Sequence, residues 1–159
     1  MFKFIPNRLA LIVLISACSI ILISMGLRQT FGLFFDAFEK GLGVTRTEFG
    51  LAIGIQMLFW GFFAPIFGLL ADKFGGNKAV FLGFLIFALG IFMLYSGPNT
   101  GIYFQLALGV LVGTALGATA IGVPVSEVGK HFPNETRTIA TGVVTAAASI
   151  GYFLWPLLT

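Results

Sequence analysis

With 159 residues, 58% of them apolar and only 9% charged, the chain lacks the charge to coat a water-facing surface, since soluble domains carry about 25% charged residues. Its net charge of +3 comes from Lys and Arg scattered singly between apolar runs, with no stripe to neutralise phosphates, which argues against a nucleic-acid partner. One Cys and one His leave no disulfide framework and no metal site, and without a GxSxG, HExxH, P-loop or dinucleotide fingerprint the chain is expected to be neither an enzyme nor a cofactor carrier.

The lipid-compatible runs are continuous and long, about 20 residues each, which is the length a helix needs to cross a hydrocarbon core roughly 30 Å thick. Barrel strands would alternate in polarity over ~10 residues, so the chain is predicted to be an all-α membrane protein, a polytopic bundle of about five transmembrane helices forming one transmembrane domain over 1–159. The first helix is expected over about 9–35, broken only by Arg28. Within it Ile15-Ser16-Ala17-Cys18, behind Lys3 and Arg8, imitates a lipoprotein cleavage box. A lipoprotein continues as a polar tether, whereas here Ser19-Ile20-Ile21-Leu22-Ile23 carries the apolar run onward, so Cys18 reads as a core residue of an uncleaved helix.

The second helix is expected over 49–70, after a polar loop from Asp36 to Glu48, and the third over 79–96, after a polar loop from Asp72 to Lys78. Gly97-Pro98-Asn99-Thr100 reads as a tight turn. The fourth helix is expected over 102–125. Its Gly109, Gly113 and Gly117 recur at four-residue spacing, which makes a groove for close helix packing; the same small wall also leaves room for a solute. Glu127 to Arg137 is expected to be the last polar loop, and the fifth helix runs over 139–158.

Orientation follows from Lys and Arg near the span ends. A cytoplasmic N-terminus puts six inside (Lys3, Arg8, Lys73, Lys78, Lys130, Arg137) and two outside (Lys40, Arg46), and an odd number of crossings then ends the chain outside at Thr159.

The join between the second and third helices reads Gly68-Leu69-Leu70-Ala71-Asp72-Lys73-Phe74-Gly75-Gly76-Asn77-Lys78. It resembles the hallmark loop of the major facilitator superfamily, in which Gly, three residues, Asp, a base, one residue and Gly precede further basic residues. Gly68, Asp72, Lys73 and Gly75 match position by position; Gly76 and Asn77 depart, and Lys78 comes one place late. Read without the resemblance, Gly68 would let two helices approach and Gly75-Gly76 would allow a turn of positive φ, while Asp72 would accept from a helix start or pair with a base. The loop serves either as a conformational latch or as a charged loop that sets topology. A narrower resemblance, to monocarboxylate transporter-like and oxalate/formate antiporter-like members, rests on Gly26 to Phe35 and on His131 to Gly142.

The resemblance implies a helix bundle forming most of a six-helix N-terminal half, in a family of about twelve helices whose site lies between two halves. It implies a secondary transporter that moves a small solute by alternating access, in a bacterial inner membrane, with a mono- or dicarboxylate as cargo and the lipid bilayer and an absent C-terminal half as partners. A non-transporting membrane scaffold, or a truncated inactive fragment, is the alternative.

Arg28 is the foremost candidate for the solute, because an ionisable group within a span is expensive. Its own helix offers no acid at neighbouring positions, which are Ser24, Met25, Phe31 and Gly32. Its planar fork suits a carboxylate. Two other roles stay open: Arg28 lies twenty residues from Arg8, about 30 Å of helix, so it can snorkel to the far interface, or it can pair with an acid elsewhere. Gln29 and Gln56 are intramembrane amides that either line the same cavity or hydrogen-bond a neighbouring helix.

Overall fold

The computed structural model describes residues 5–98 and 100–158. Lys3 of the charge count, Asn99 of the tight turn and the terminal Thr159 lie outside the described residues, as does Met1. Among the described residues the secondary structure is helical throughout, and five helical stretches are long and apolar enough to cross a membrane.

Helix α1 (Arg8–Thr30) starts where Asn7 Oδ1 accepts the Ala10 N–H at 2.7 Å. It ends five residues before the expected Phe35. The chain turns through Phe31 to Phe34 and then forms a short helix, α2 (Phe35–Leu42), inside what the sequence presented as a polar loop. Phe35, Phe38 and Leu42 share one face of α2. Asp36 in its first turn and Lys40 in its last complement the helix dipole. Gly43, at φ 68°, closes it in the left-handed conformation, with its N–H on Glu39 O at 3.0 Å.

Helix α3 (Arg46–Phe74) outruns the predicted 49–70 at both ends. A capping box sets its start: Thr45 Oγ1 accepts the Glu48 N–H at 3.3 Å while Glu48 Oε2 accepts the Thr45 N–H at 2.9 Å. The expected loop from Asp72 to Lys78 shrinks to Gly75, since α4 (Gly76–Ser96) begins at the next residue.

The fourth span, Gly101–His131, is one apolar run built of unlike pieces. A turn of α-helix, α5 (Gly101–Phe104), passes into a π-helix over Gln105–Leu111, then α6 (Val112–Thr119) and α7 (Gly122–His131). The bend at Ala120 and Ile121 lies where Pro124 would meet the carbonyl four residues back and has no N–H to give it. Only Phe132 and Pro133 then separate α7 from α8 (Asn134–Leu158), so the expected Glu127–Arg137 loop is mostly helix. Phe132 is extended, as the residue before a proline prefers.

The helices form two compact units, one of α1, α7 and α8 and the other of α2 to α6 with the π-helix. In the first, α1 packs along α8: a Cβ at Gly151 would lie 2.5 Å from Leu22 O, and Gly26 lies under the Trp155 indole. In the second, α6 and the π-helix pack between α3 and α4, around Ala52, Phe104, Leu108, Val112 and Leu116.

Candidate functional site

In the unit holding α1, Arg28 occupies the last helical turn and is half-buried. A cation there is favoured by the dipole of its own helix. Its Nε is shielded from solvent, as is the Trp155 Nε1. The neighbouring turn is polar beneath an apolar surface. Ser24 Oγ donates to Ile20 O at 2.6 Å, and Thr30 Oγ1 donates to Gly26 O at 2.9 Å. From α8, Tyr152 donates its hydroxyl to Met25 Sδ at 3.0 Å, and Trp155 covers Gly26. Arg28 thus sits at one end of a seam of two aromatic rings with polar edges. Gln29, beside it, is exposed. The two rings escaped the sequence reading, although Gly26 and Gly151 were the signal that α1 and α8 approach closely.

In the other unit, Gln56 on α3 is fully buried and donates from Nε2 to Leu108 O at 3.2 Å. Its amide is engaged with the π-helix rather than with an open cavity. Gly109, Gly113 and Gly117 all face α3. A Cβ at Gly109 would lie 2.9 Å from Ile55 Cγ2, one at Gly113 2.7 Å from Gln56 O, and one at Gly117 2.9 Å from the Phe63 carbonyl carbon. The stripe is filled by helix α3 along its length. On the other side, Gly83 and Gly90 of α4 do the same, with would-be Cβ atoms 2.5 Å from Ala118 Cβ and 3.1 Å from Ala107 O.

Around the join of α3 and α4 the roles differ from those the sequence suggested. Among the described residues nothing lies within 4 Å of a Cβ built at Gly68. Gly76 begins α4 instead of sharing the turn, and Gly75 alone takes positive φ, at 94°. Any side chain at Gly75 would be strained. Asp72 and Lys73 are exposed in the last turn of α3, Lys73 Nζ lying 5.2 Å from the Phe74 ring centre. Lys78 is exposed in the first turn of α4. A carboxylate at the C-terminal end of a helix opposes that helix's dipole, whereas the α4 start one residue beyond Gly75 favours it.

Among the described residues no group of three His, Cys, Asp or Glu could hold a metal ion. The family model described as Major Facilitator Superfamily matches residues 14–159. An MFS-type transporter of Aspergillus fumigatus is 30% identical over 87% of this chain and 32% of its own length. A probable nitrate transporter, NarT, of Staphylococcus haemolyticus is 26% identical over 86% of this chain and 34% of its own length. The riboflavin transporter RibZ of Clostridioides difficile is 31% identical over 70% of this chain and 22% of its own length. The chain therefore spans about a third or less of the length of these relatives.

Proposed function

The chain belongs to the Major Facilitator Superfamily, and from that premise we propose that it forms most of the first half of a secondary transporter for a small planar anion, worked by alternating access. The observation that carries this reading is Arg28, a permanently charged and half-buried group in the last turn of a membrane-spanning helix. A guanidinium fork matches two oxygens of a planar oxyanion. Mono- and dicarboxylates fit that description, and so does nitrate, which a relative's name mentions. The second half would complete the site, as in other members built from two halves.

Uptake by cells making the full-length transporter, this chain with its second half, against cells lacking it, tests the proposal with labelled acetate, oxalate and nitrate beside choline and glucose. Saturable uptake confined to one or more of the anions is expected; equal uptake of all five solutes in both cell lines would end it. In the same assay Asp72→Asn should slow maximal uptake several-fold while half-saturation stays within a few-fold. Asp72 lies at the join of α3 and α4, where it acts on conformational cycling rather than on the solute. An unchanged maximal rate would remove that role.

We propose a bacterial inner membrane as the location and, on the six-to-two Lys and Arg distribution, put the α3–α4 join on the cytoplasmic side. In a Cys18→Ser background, Thr47→Cys should react with a membrane-impermeant maleimide in intact cells, and Asn77→Cys only after permeabilisation. Both positions are exposed. Labelling of Asn77→Cys from outside reverses the orientation.

A further inference from the structure

The π-helix over Gln105–Leu111 is the irregular element of the α2–α6 unit, and a buried side chain attends to it. A π-turn holds one residue more than the α-turn it replaces, and such turns are seldom retained without a role. The surplus leaves backbone groups out of the regular ladder. Gln56, wholly buried, donates to the carbonyl of Leu108 at 3.2 Å, in the middle of that stretch. Its Oε1 is also buried and has no hydrogen-bond partner. The unpaired oxygen is a cost in either register, so the single bond from Nε2 to Leu108 O is what this side chain contributes to the π register.

We propose that the Gln105–Leu111 π-turn is a two-register switch latched by Gln56. In the present register Nε2 holds Leu108 O. In the other, the surplus residue passes toward the Gly101 end and the segment becomes α-helical, so that Leu108 O is taken by the helix itself. Incorporating one residue turns the part of the span before it by about 100° and shifts it by about 1.5 Å. That part carries Phe104, whose ring stands 5.3 Å from Phe38 of α2 and 6.2 Å from Phe49 of α3. The register change lifts Phe104 out of this aromatic cluster and loosens α2, which then keeps its ring contacts with Phe49 alone. Gly113 and Gly117, beyond the turn, stay seated on α3. Motions of this kind run on the microsecond to millisecond scale.

The test uses the intact chain in lipid nanodiscs with 4-fluorophenylalanine at position 104 alone, read by fluorine NMR. Phe38→Leu identifies the clustered resonance, because it removes the neighbouring ring. Gln56→Met keeps the side-chain length and removes the amide; it should move the population about tenfold away from the clustered resonance, as loss of one hydrogen bond implies. Deleting Leu106 removes the surplus residue, so the same Gln56→Met change should then leave the resonance where it is. Amide exchange across α4 monitors the fold. If Gln56→Met loses that protection, Gln56→Asn, one methylene too short to reach Leu108, takes its place in both backgrounds. An unchanged clustered resonance in the full-length chain, or the same displacement after the deletion, overturns the switch.

Discussion

Replacing Gly113 by Leu is expected to leave little folded protein after detergent extraction, whereas Gly113→Ala should fold with reduced stability. A Cβ at this position would lie 2.7 Å from the Gln56 carbonyl oxygen, 2.9 Å from Gln56 Cα and 3.0 Å from Phe59 Cβ. Two of these three neighbours are backbone of α3 and cannot rotate away. The helices must separate to admit even one methyl group. Overpacking of this sort takes about 1–3 kcal/mol for a small addition and more for a large one. It matters more in lipid, where helices associate through close van der Waals contact rather than through exclusion of water. Gly61→Ala on α3 serves as the control, because nothing lies within 4 Å of a Cβ there. Thermal unfolding followed by size-exclusion chromatography separates the three variants: Gly61→Ala should melt with the parent, Gly113→Ala several degrees below it, and Gly113→Leu should elute as aggregate. A Gly113→Leu protein as stable as the parent would mean that α3 and α6 do not meet as closely as described.

The contrast between Gly113 and Gly61 marks a limit on what the sequence discloses. Gly109, Gly113 and Gly117 form a stripe at four-residue spacing, but Gly50, Gly54, Gly61 and Gly68 also fall on one side of α3, and a Cβ at any of these four meets nothing within 4 Å. Spacing identifies a surface that permits close packing; only the fold decides which surface is used. Gly68, read from its loop as letting two helices approach, has no neighbour within 4 Å of a Cβ among the described residues. Hydropathy, by contrast, was enough to find all five spans, because the need for about 20 apolar residues acts on each segment alone.

Span ends were less legible than span centres. The start of α3 depends on Thr45 and Glu48 reaching one another, a pattern visible as Thr-x-x-Glu yet hidden inside a polar run. Helix α2 looked like loop because its apolar face is only Phe35, Phe38 and Leu42, among Asp36, Glu39 and Lys40. Its aromatic partners Phe49 and Phe104 lie elsewhere in the chain. The π-turn has no local signature, since Gln105 to Leu111 is an ordinary apolar helical sequence; the clue was an intramembrane Gln at position 56, whose amide needs a backbone partner in the absence of water.

Arg28→Gln is expected to abolish most anion uptake while the protein reaches the membrane at its usual level, and Arg28→Lys to retain a weak remainder. Loss of a hydrogen bond to a charged group takes about 1.5–3 kcal/mol, roughly a ten- to hundredfold drop in affinity if binding alone changes. Lys keeps the charge but offers a point donor on a flexible stem in place of a planar fork, so two-oxygen contact with a carboxylate or nitrate is lost. The same order with far smaller losses follows if Arg28 serves the helix and the interface. At the last turn of α1 a cation of either kind complements the dipole, and a long stem of either kind reaches the headgroups. Lys would then be tolerated almost fully, and Gln would bring a modest loss that parallels a lower amount of protein in the membrane. Surface quantification of each variant beside initial-rate uptake of oxalate and nitrate distinguishes the two. Near-parental uptake by Arg28→Gln at equal surface level would end the anchor reading, whereas parental uptake by Arg28→Lys with half-parental uptake by Arg28→Gln would assign the residue to α1 itself. The aromatic seam sharpens the comparison. Trp155 lies over Gly26, two residues before Arg28, and Tyr152 donates to Met25 Sδ, so thermal stability reports whether Arg28→Gln disturbs these rings. A change in uptake with unaltered surface level and unaltered thermal stability therefore belongs to the charge and its fork rather than to a disturbed α1–α8 seam.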